Sequence, residues 1–261
     1  MEEQDENVIC LFDVDGTLTK ARQRITPSME EFLMKLREKV KIGLVGGSDI
    51  IKIAEQMEPL VAGKQANFGE KAVNELVEKY DYIFAENGLE AFREGKLIER
   101  QCITEFVGED KVQKFINYCL GYMSKLSLPC KRGNFIEYRN GLINICPPGR
   151  SVSQSEREQF AEFDAKHQVR EQFVASLKKE FGPEFGLNFS IGGQISFDVF
   201  PIGWDKTFCL KYLDQFDKIY FFGDKTSEGG NDYEIYTHAK TIGYTVTSPE
   251  HTKQIVTQLF P

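Results

Sequence analysis

Two short segments gather carboxylates where phosphoryl chemistry is most easily built. Asp13-Val14-Asp15-Gly16-Thr17 ends the apolar run Val8–Val14, and the loop from Gly223 to Asp232 follows the apolar run Lys218–Phe222. Acids in alternate strand positions point to opposite faces, but at a strand's end the chain can bend and bring both to one site. Carboxylates held together repel, so one takes a proton or a cation bridges them. Mg2+ suits that role, since it takes oxygen ligands and keeps several waters. If the two apolar runs are parallel neighbours, Asp224 faces Asp13 across the sheet end, where open α/β sheets bind ligands. Three carboxylates, Asp13, Asp15 and Asp224, at one cation make a phosphoryl-transfer arrangement.

Other residues fit an anion near those acids. Ser48 follows a buried-strand pattern and two glycines and opens a helix, so its hydroxyl and the neighbouring N–H groups can hold phosphate oxygens; capping the helix is the simpler alternative. Lys206 stands near a helix start, where a cation opposes the dipole and an anion, phosphate or aspartate, explains it better than solvent does. Lys131, Arg132, Arg139, Arg150 and Arg157 crowd one stretch, opposed there only by Glu137 and Glu156. Guanidinium forks bind phosphate oxygens in pairs, whereas Lys131 and Arg132 read better as a solvated face. Ser196 and Asp198, two apart in the expected strand Gln194–Phe200, share a face that can bond sugar hydroxyls or be merely half exposed.

The elements that must position these residues fall into two styles. Val8–Val14, a helix opened by Thr26-Pro27, the strand Lys41–Val45 and a helix from Ile50 give the β-α-β-α pattern of a doubly wound sheet. A loop over Glu58–Gly69, a helix over Glu70–Lys79 and a strand over Tyr82–Ala85 follow. After Gly88 the pattern becomes α+β. Strands Asn134–Arg139 and Leu142–Cys146 flank an Asn140-Gly141 hairpin signal, and helices are expected over Asp110–Lys125, Ser153–Phe163 and Gln168–Phe181, with Ser153 and Glu156 as a capping box. From Asp205 the first style returns, with a helix over Asp205–Leu213, the strand Lys218–Phe222, a strand at Thr245–Thr247 and a last helix from Pro249. The expected fold is α/β, a doubly wound, Rossmann-like parallel-sheet core over 1–91 and 200–261 with an inserted α+β cap over 92–199.

The bulk composition excludes several classes. The chain has 261 residues, 41% hydrophobic and 28% charged, which is globular rather than disordered. A net charge of −8 argues against a nucleic-acid partner. No apolar run is long enough for a membrane span, and the acidic N-terminus is unlike a signal peptide, so a cytoplasmic site is expected. The six cysteines form no CxxC pair, so buried reduced thiols are expected rather than zinc ligands or disulfides.

In order, FDVDGTLT, VGGSD, GWDK and GDKTSEGGND resemble the haloacid dehalogenase (HAD) superfamily. FAENG, FIEYRNG, PPGRS, IGGQISFDVFP and the GGND loop narrow the resemblance to eukaryotic phosphomannomutase, from Val8 to Phe260. That resemblance implies Asp13 as nucleophile, Asp15 as general acid/base, and Mg2+ held by Asp13, the backbone carbonyl of Asp15 and Asp224. It implies Ser48 and Lys206 as stabilisers of the transferring phosphoryl, Arg22, Arg139, Arg150 and Arg157 on substrate phosphate and sugar, and Ser196 and Asp198 on sugar hydroxyls. The implied activity interconverts mannose 6-phosphate and mannose 1-phosphate for GDP-mannose synthesis, primed by a hexose 1,6-bisphosphate, in a homodimer joined through the cap. A mutase must turn its bisphosphate around, and a closing cap that grips the distal phosphate also excludes water. Two departures stand out. The 57–79 stretch is longer than the family pattern, and His238 occupies the place of an acid in a second cation site, leaving Tyr236 and Thr241 as carbonyl ligands. The alternatives are a sugar phosphatase on the same core, a dual mannose/glucose mutase, and a silent sugar-phosphate sensor.

Overall fold

The computed structural model describes residues 4–21, 23–60, 69–182, 185–192 and 194–261. Arg22 and most of the loop expected over Glu58–Gly69 lie outside them. The chain divides into two compact units, Met1–Arg100 with Gly203–Pro261, and Gln101–Ile202.

The first unit is built on a seven-stranded sheet. Its strands are β1 (Asp5–Phe12), β2 (Val40–Val45), β3 (Tyr82–Ala85), β4 (Glu90–Arg93), β5 (Lys96–Arg100), β10 (Lys218–Gly223) and β11 (Thr241–Thr245), in spatial order β11-β10-β1-β2-β3-β4-β5. The pairs from β11 to β3 are parallel, and the β4–β5 hairpin adds two antiparallel strands at the edge. That hairpin keeps residues to Arg100 in the first unit's sheet. Glu94 and Gly95 between its strands both have positive φ, as a type I′ hairpin turn requires.

Parallel strands buried on both faces read as unbroken apolar runs, and β1 shows why. Val8, Cys10 and Phe12 enter one layer with helices α1 (Pro27–Arg37), α2 (Ile50–Gln56) and α3 (Glu70–Lys79), while Ile9 and Leu11 enter the other with Cys209, Leu210 and Ile235. Thr26 caps α1 by accepting from the Met29 N–H at 3.2 Å, with Pro27 at the first helical position. The sequence placed the end of β1 at Val14, but the chain leaves the sheet after Phe12 and folds into a turn closed by the Leu18 and Thr19 N–H groups on the Val14 carbonyl. The strand read at Thr245–Thr247 lies instead over Thr241–Thr245; it is a half-exposed edge strand, so no apolar run marks it.

The second unit holds α4 (Ile103–Val107), α5 (Glu109–Ser124), α6 (Gln154–His167) and α7 (Val169–Phe181), with β6 (Ile136–Tyr138), β7 (Ile143–Ile145), β8 (Leu187–Gly192) and β9 (Ser196–Pro201). Its sheet is antiparallel, in order β6-β7-β9-β8. The Asn140-Gly141 turn joins β6 to β7, and the Ser153–Glu156 capping box starts α6. Phe173 of α7 packs edge-on against Phe197 of β9, both fully buried, which ties the helices to the sheet's apolar face.

After Lys206–Tyr212, which winds as 3-10 turns where an α-helix was expected, the chain adds α8 (Tyr233–Tyr236) and α9 (Pro249–Leu259). All six thiols are unbridged, and Cys102 and Cys130 are partly exposed rather than buried. Among the described residues no helix is long and apolar enough to cross a membrane.

One tight turn locks the loops around the sheet end. Glu86, Asn87 and Gly88 have φ of 47°, 65° and 104° in succession. The Glu86 N–H bonds the Ser48 carbonyl and the Asn87 N–H bonds the Gly46 carbonyl, both at 2.9 Å, while the Asn87 amide reaches the Trp204 carbonyl at 3.3 Å. A Cβ on Gly88 would stand 2.9 Å from the Cys209 Cα. Gly88→Ala is therefore expected to cost at least about 1–2 kcal/mol, from the left-handed backbone alone. A lower urea midpoint with unchanged slope is the expected reading; an unchanged midpoint removes the constraint.

Candidate active site

The register of the two central strands decides which acids meet. Phe12 of β1 pairs with Phe222 of β10, so Asp13 and Asp224 leave the sheet side by side at its carboxyl end. The Asp13 N–H still bonds the Phe222 carbonyl at 2.9 Å. Gly16, at φ 91°, lies so close to Asp224 that a Cβ there would collide with its carboxylate. The loop after β10 then folds back on itself. The Asp232 carboxylate accepts from the Lys225 N–H at 3.0 Å, and Gly230 passes so near the Lys225 carbonyl that no side chain fits. Carboxylate oxygens of Asp13, Asp224 and Asp232 thereby lie within 4.8 Å of one another.

Lys206 completes the cluster. Asp205 caps the turn by accepting from the Thr207 N–H at 2.9 Å, and Lys206 runs inward, 1% exposed. Its ammonium donates to Asp13 Oδ1 and, at 2.5 Å, to Asp232 Oδ1. The anion expected beside this lysine is thus the aspartate pair. Burial pushes the Asp13 carboxyl up to about 6; Lys206 opposes the rise, and Asp232 and Asp224 add to it. Burial works against the Lys206 charge, but Asp13 and Asp232 outweigh it and hold the ammonium above its ordinary value. Asp224 is also raised, chiefly by burial. The Lys206 ammonium bonds two of the three carboxylates and Lys225 lies near the third, Asp224, so three acids face two cations and the cluster keeps excess negative charge. A hard divalent cation with oxygen preference fits that donor set, and magnesium is such a cation.

Asp15 is placed differently from its neighbours. Its Oδ1 accepts from the Gln56 amide at 2.8 Å, and the same amide nitrogen reaches Thr19 Oγ1 at 2.7 Å. The carboxylate that joins Asp13 and Asp224 is accordingly Asp232, while Asp15 borders a cleft of about 450 Å3 with Ser48, Arg24, Lys52 and Gln56. Ser48 does not cap α2; Asp49 does, accepting from the Lys52 N–H at 2.9 Å. The Ser48 side chain stands at the cleft instead.

The second unit holds Arg139, Arg150, Arg157, Ser196 and Asp198. Glu137 bonds both Arg139 Nε, at 2.8 Å, and Arg150 Nε. Arg150 also donates to Asn144 Oδ1 at 2.7 Å, and the Asn144 amide donates to Asp198 Oδ1 at 2.7 Å. Arg157 donates to the Arg150 carbonyl at 3.3 Å. Ser196 and Asp198 share a face of β9, and the Ser196 carbonyl accepts from Arg170 at 3.0 Å. Arg132 pairs with Glu156, as a surface residue would, and Lys131 donates to the Met123 carbonyl at 2.7 Å. Around the suggested second cation site, the Thr241 hydroxyl donates to the His238 carbonyl at 3.0 Å and His238 Nδ1 accepts from the Lys240 N–H at 3.1 Å; among the described residues no acidic cluster forms there.

Four residues of these networks escaped the sequence. Asp232 lay inside the acidic loop, but only the fold-back through Gly229-Gly230 returns it to Asp13. Gln56 and Asn144 are neutral amides with no distinguishing spacing. Glu137 read as a counter-charge to arginines and is in fact the bridge between two of them.

Comparisons with known proteins agree with this layout. The family model for eukaryotic phosphomannomutase matches residues 29–261. The chain is 54% identical over 257 residues to phosphomannomutase 1 of Dictyostelium discoideum, covering 97% of each. It is 52% identical to human phosphomannomutase 1, over 98% of this chain and 93% of that one. Among solved structures, a Plasmodium falciparum IMP-nucleotidase superposes with a TM-score of 0.63 at 18% identity, over 98% of this chain and 62% of that chain. A haloacid dehalogenase-like hydrolase from Bacteroides thetaiotaomicron gives 0.58 at 13% identity, over 98% and 100%. Identities that low carry the fold alone, a HAD-like core with an inserted cap. The sequence matches carry more: with its acid–lysine cluster at the end of parallel strands, the chain belongs to the eukaryotic phosphomannomutase family.

Proposed function

We propose that this chain is a phosphomannomutase, interconverting mannose 6-phosphate and mannose 1-phosphate through an aspartyl-phosphate on Asp13. The observation that carries the reading is the meeting of buried Asp13, Asp232 and Lys206 with half-buried Asp224 in a chain of this family. A carboxylate nucleophile splits one difficult transfer into two easier ones. An Asp13 oxygen attacks a phosphorus of hexose 1,6-bisphosphate; the phosphorus–sugar oxygen bond breaks, and Asp15 gives that oxygen a proton. In the return step Asp15 takes the proton from the hydroxyl of the hexose monophosphate, whose oxygen attacks the phosphorus on Asp13 and frees the carboxylate. Receiving the group at one sugar oxygen and returning it at the other makes the reaction an isomerisation.

Lys206 holds Asp13 in place and supplies positive charge beside the transferring group, while Ser48 hydrogen-bonds its oxygens. Gln56 orients the Asp15 carboxylate through one of its oxygens. Asp13 and Asp224, with the backbone carbonyl of Asp15, would hold Mg2+, which when bound neutralises charge on the transferring phosphoryl. Arg22, Arg139, Arg150 and Arg157 grip phosphate and sugar, and Ser196 and Asp198 take sugar hydroxyls. A homodimer joined through the second unit belongs to the same proposal. It is supported by the half-exposed Leu120 beside an apolar cleft of about 220 Å3 lined by Met123 and Phe135.

Three outcomes check this reading. With mannose 1-phosphate, activity requires catalytic hexose bisphosphate and releases little free phosphate, and Asp13→Asn lowers kcat roughly 10³-fold or more. Stoichiometric phosphate release would assign a phosphatase, and full activity in that variant would discard the nucleophile. At 100 times its Kd, Mg2+ stabilises the protein by about 2.7 kcal/mol. That gain vanishes in Asp224→Asn. It also fades as pH falls through about 6, where a proton on Asp13 competes with the metal. A melting temperature insensitive to Mg2+ at neutral pH would refute the metal assignment. Sedimentation equilibrium is expected to give a dimer that Leu120→Glu dissociates; a wild-type monomer ends that part of the proposal.

A further inference from the structure

The sheet of the second unit carries a polar row that the site residues alone do not explain. Its register sets Glu137 of β6 opposite Asn144 of β7, Asn144 opposite Asp198 of β9, and Asp198 opposite Ser190 of β8. Directly opposed residues of antiparallel strands share a face. The next residues along, Ile143, Ile145, Phe197 and Val199, point the other way and are buried. One face is therefore an apolar floor on the helices, and the other carries a continuous line of carboxylate, amide, carboxylate and hydroxyl.

Asn144 is the joint of that line. It is 3% exposed, so both halves of its amide need partners. Its oxygen accepts from the Arg150 guanidinium and its nitrogen donates to the Asp198 carboxylate, each at 2.7 Å. Few side chains of this size can accept from a cation and donate to an anion at once. Aspartate would satisfy Arg150 but set two carboxylates against each other, and leucine would take one hydrogen bond from each partner. At the end of the row Glu137 takes the Nε edges of Arg139 and Arg150. Held by that edge, Arg139 keeps its terminal amino groups for a phosphate and Arg150 keeps the one that Asn144 does not take.

We propose that Asn144 is a positioning residue that couples the phosphate grip of Arg150 to the hydroxyl grip of Asp198, so that neither is oriented without the other. Glu137 acts at the far end of the same row, fixing Arg150 to Arg139. The inference rests on the reading above that Arg150 and Asp198 touch the substrate. It adds that the specificity of this surface belongs to the row as a unit rather than to its separate contacts. Preorganised side chains spend less entropy on binding, and networks of this kind lose more than one hydrogen bond when their central member changes.

Steady-state kinetics of Asn144→Asp with mannose 1-phosphate, at saturating bisphosphate, tests it. KM is expected to rise roughly 10- to 100-fold, the scale of charged hydrogen bonds lost, with kcat within about threefold of wild type, because no transition-state contact is removed. In an Asp198→Asn background the same substitution is expected to raise KM far less, because the opposing carboxylate is gone. Asn144→Ser, neutral and smaller, serves if the aspartate variant fails to fold, and is expected to raise KM in the same sense. A KM near wild type in a folded Asn144 variant, a loss confined to kcat or melting temperature, or effects of Asn144 and Asp198 that multiply independently would overturn the proposal. Arg150→Ala and Asp198→Asn alone separate it from its premise: if both leave KM unchanged, the reading of those residues as substrate ligands falls; if both raise it while Asn144 variants do not, only the coupling falls.

Discussion

Repulsion among Asp13, Asp224 and Asp232 is the constraint to which the rest of the first unit answers. Carboxylates so close in a buried place favour protonation or a cation, and Lys206 supplies only one of the positive charges they call for. Such a group is costly to leave incomplete: removing one partner strands a buried charge. That cost suits the proposed function, in which the cluster takes a divalent cation and a phosphoryl group. Parallel pairing of β1 and β10 places two of the acids, and the glycines of the two loops allow the approach.

A second constraint is local backbone strain. Three successive residues at positive φ, Glu86 to Gly88, hold the Gly46–Ser48 loop by two backbone hydrogen bonds and touch the segment before Lys206 through Asn87. Strained turns persist only where surrounding packing over-determines them. Here the closeness of Gly88 to Cys209 does so. The loop carrying Ser48 and the turn carrying Lys206 are consequently fixed by one element that contributes no side chain to the acid–lysine cluster itself.

The second unit solves a different problem. In the proposed function it meets a sugar phosphate, whose charged end and neutral hydroxyls call for cations and acceptors held near each other. Interposing an amide does this. Asn144 separates Arg150 from Asp198 while bonding both, and Glu137 balances the arginine pair from the other side. The opposite face of the same strands is apolar, so Phe173 and Phe197 anchor the sheet on which the row stands.

Much of this was legible in the chain. The apolar runs of β1, β2 and β10 announced buried parallel strands, and the caps Thr26 and Ser153 marked helix starts that the structure bears out. The fold class and the convergence of Asp13 with Asp224 followed from acids placed just after such strands. Local preferences and strand alternation act over a few residues, so a sequence displays them directly. What spacing does not encode is which distant groups share a hydrogen bond. That Asp232 rather than Asp15 completes the carboxylate cluster depends on a loop folding back through two glycines. That Ser48 is released from capping depends on Asp49 taking the helix end, and that Asn144 joins Arg150 to Asp198 depends on the register of β7 against β9. The chain alone determined the elements and the acids at their ends; tertiary structure decided the partners, because buried polar atoms take whichever complement the packed strands bring within reach.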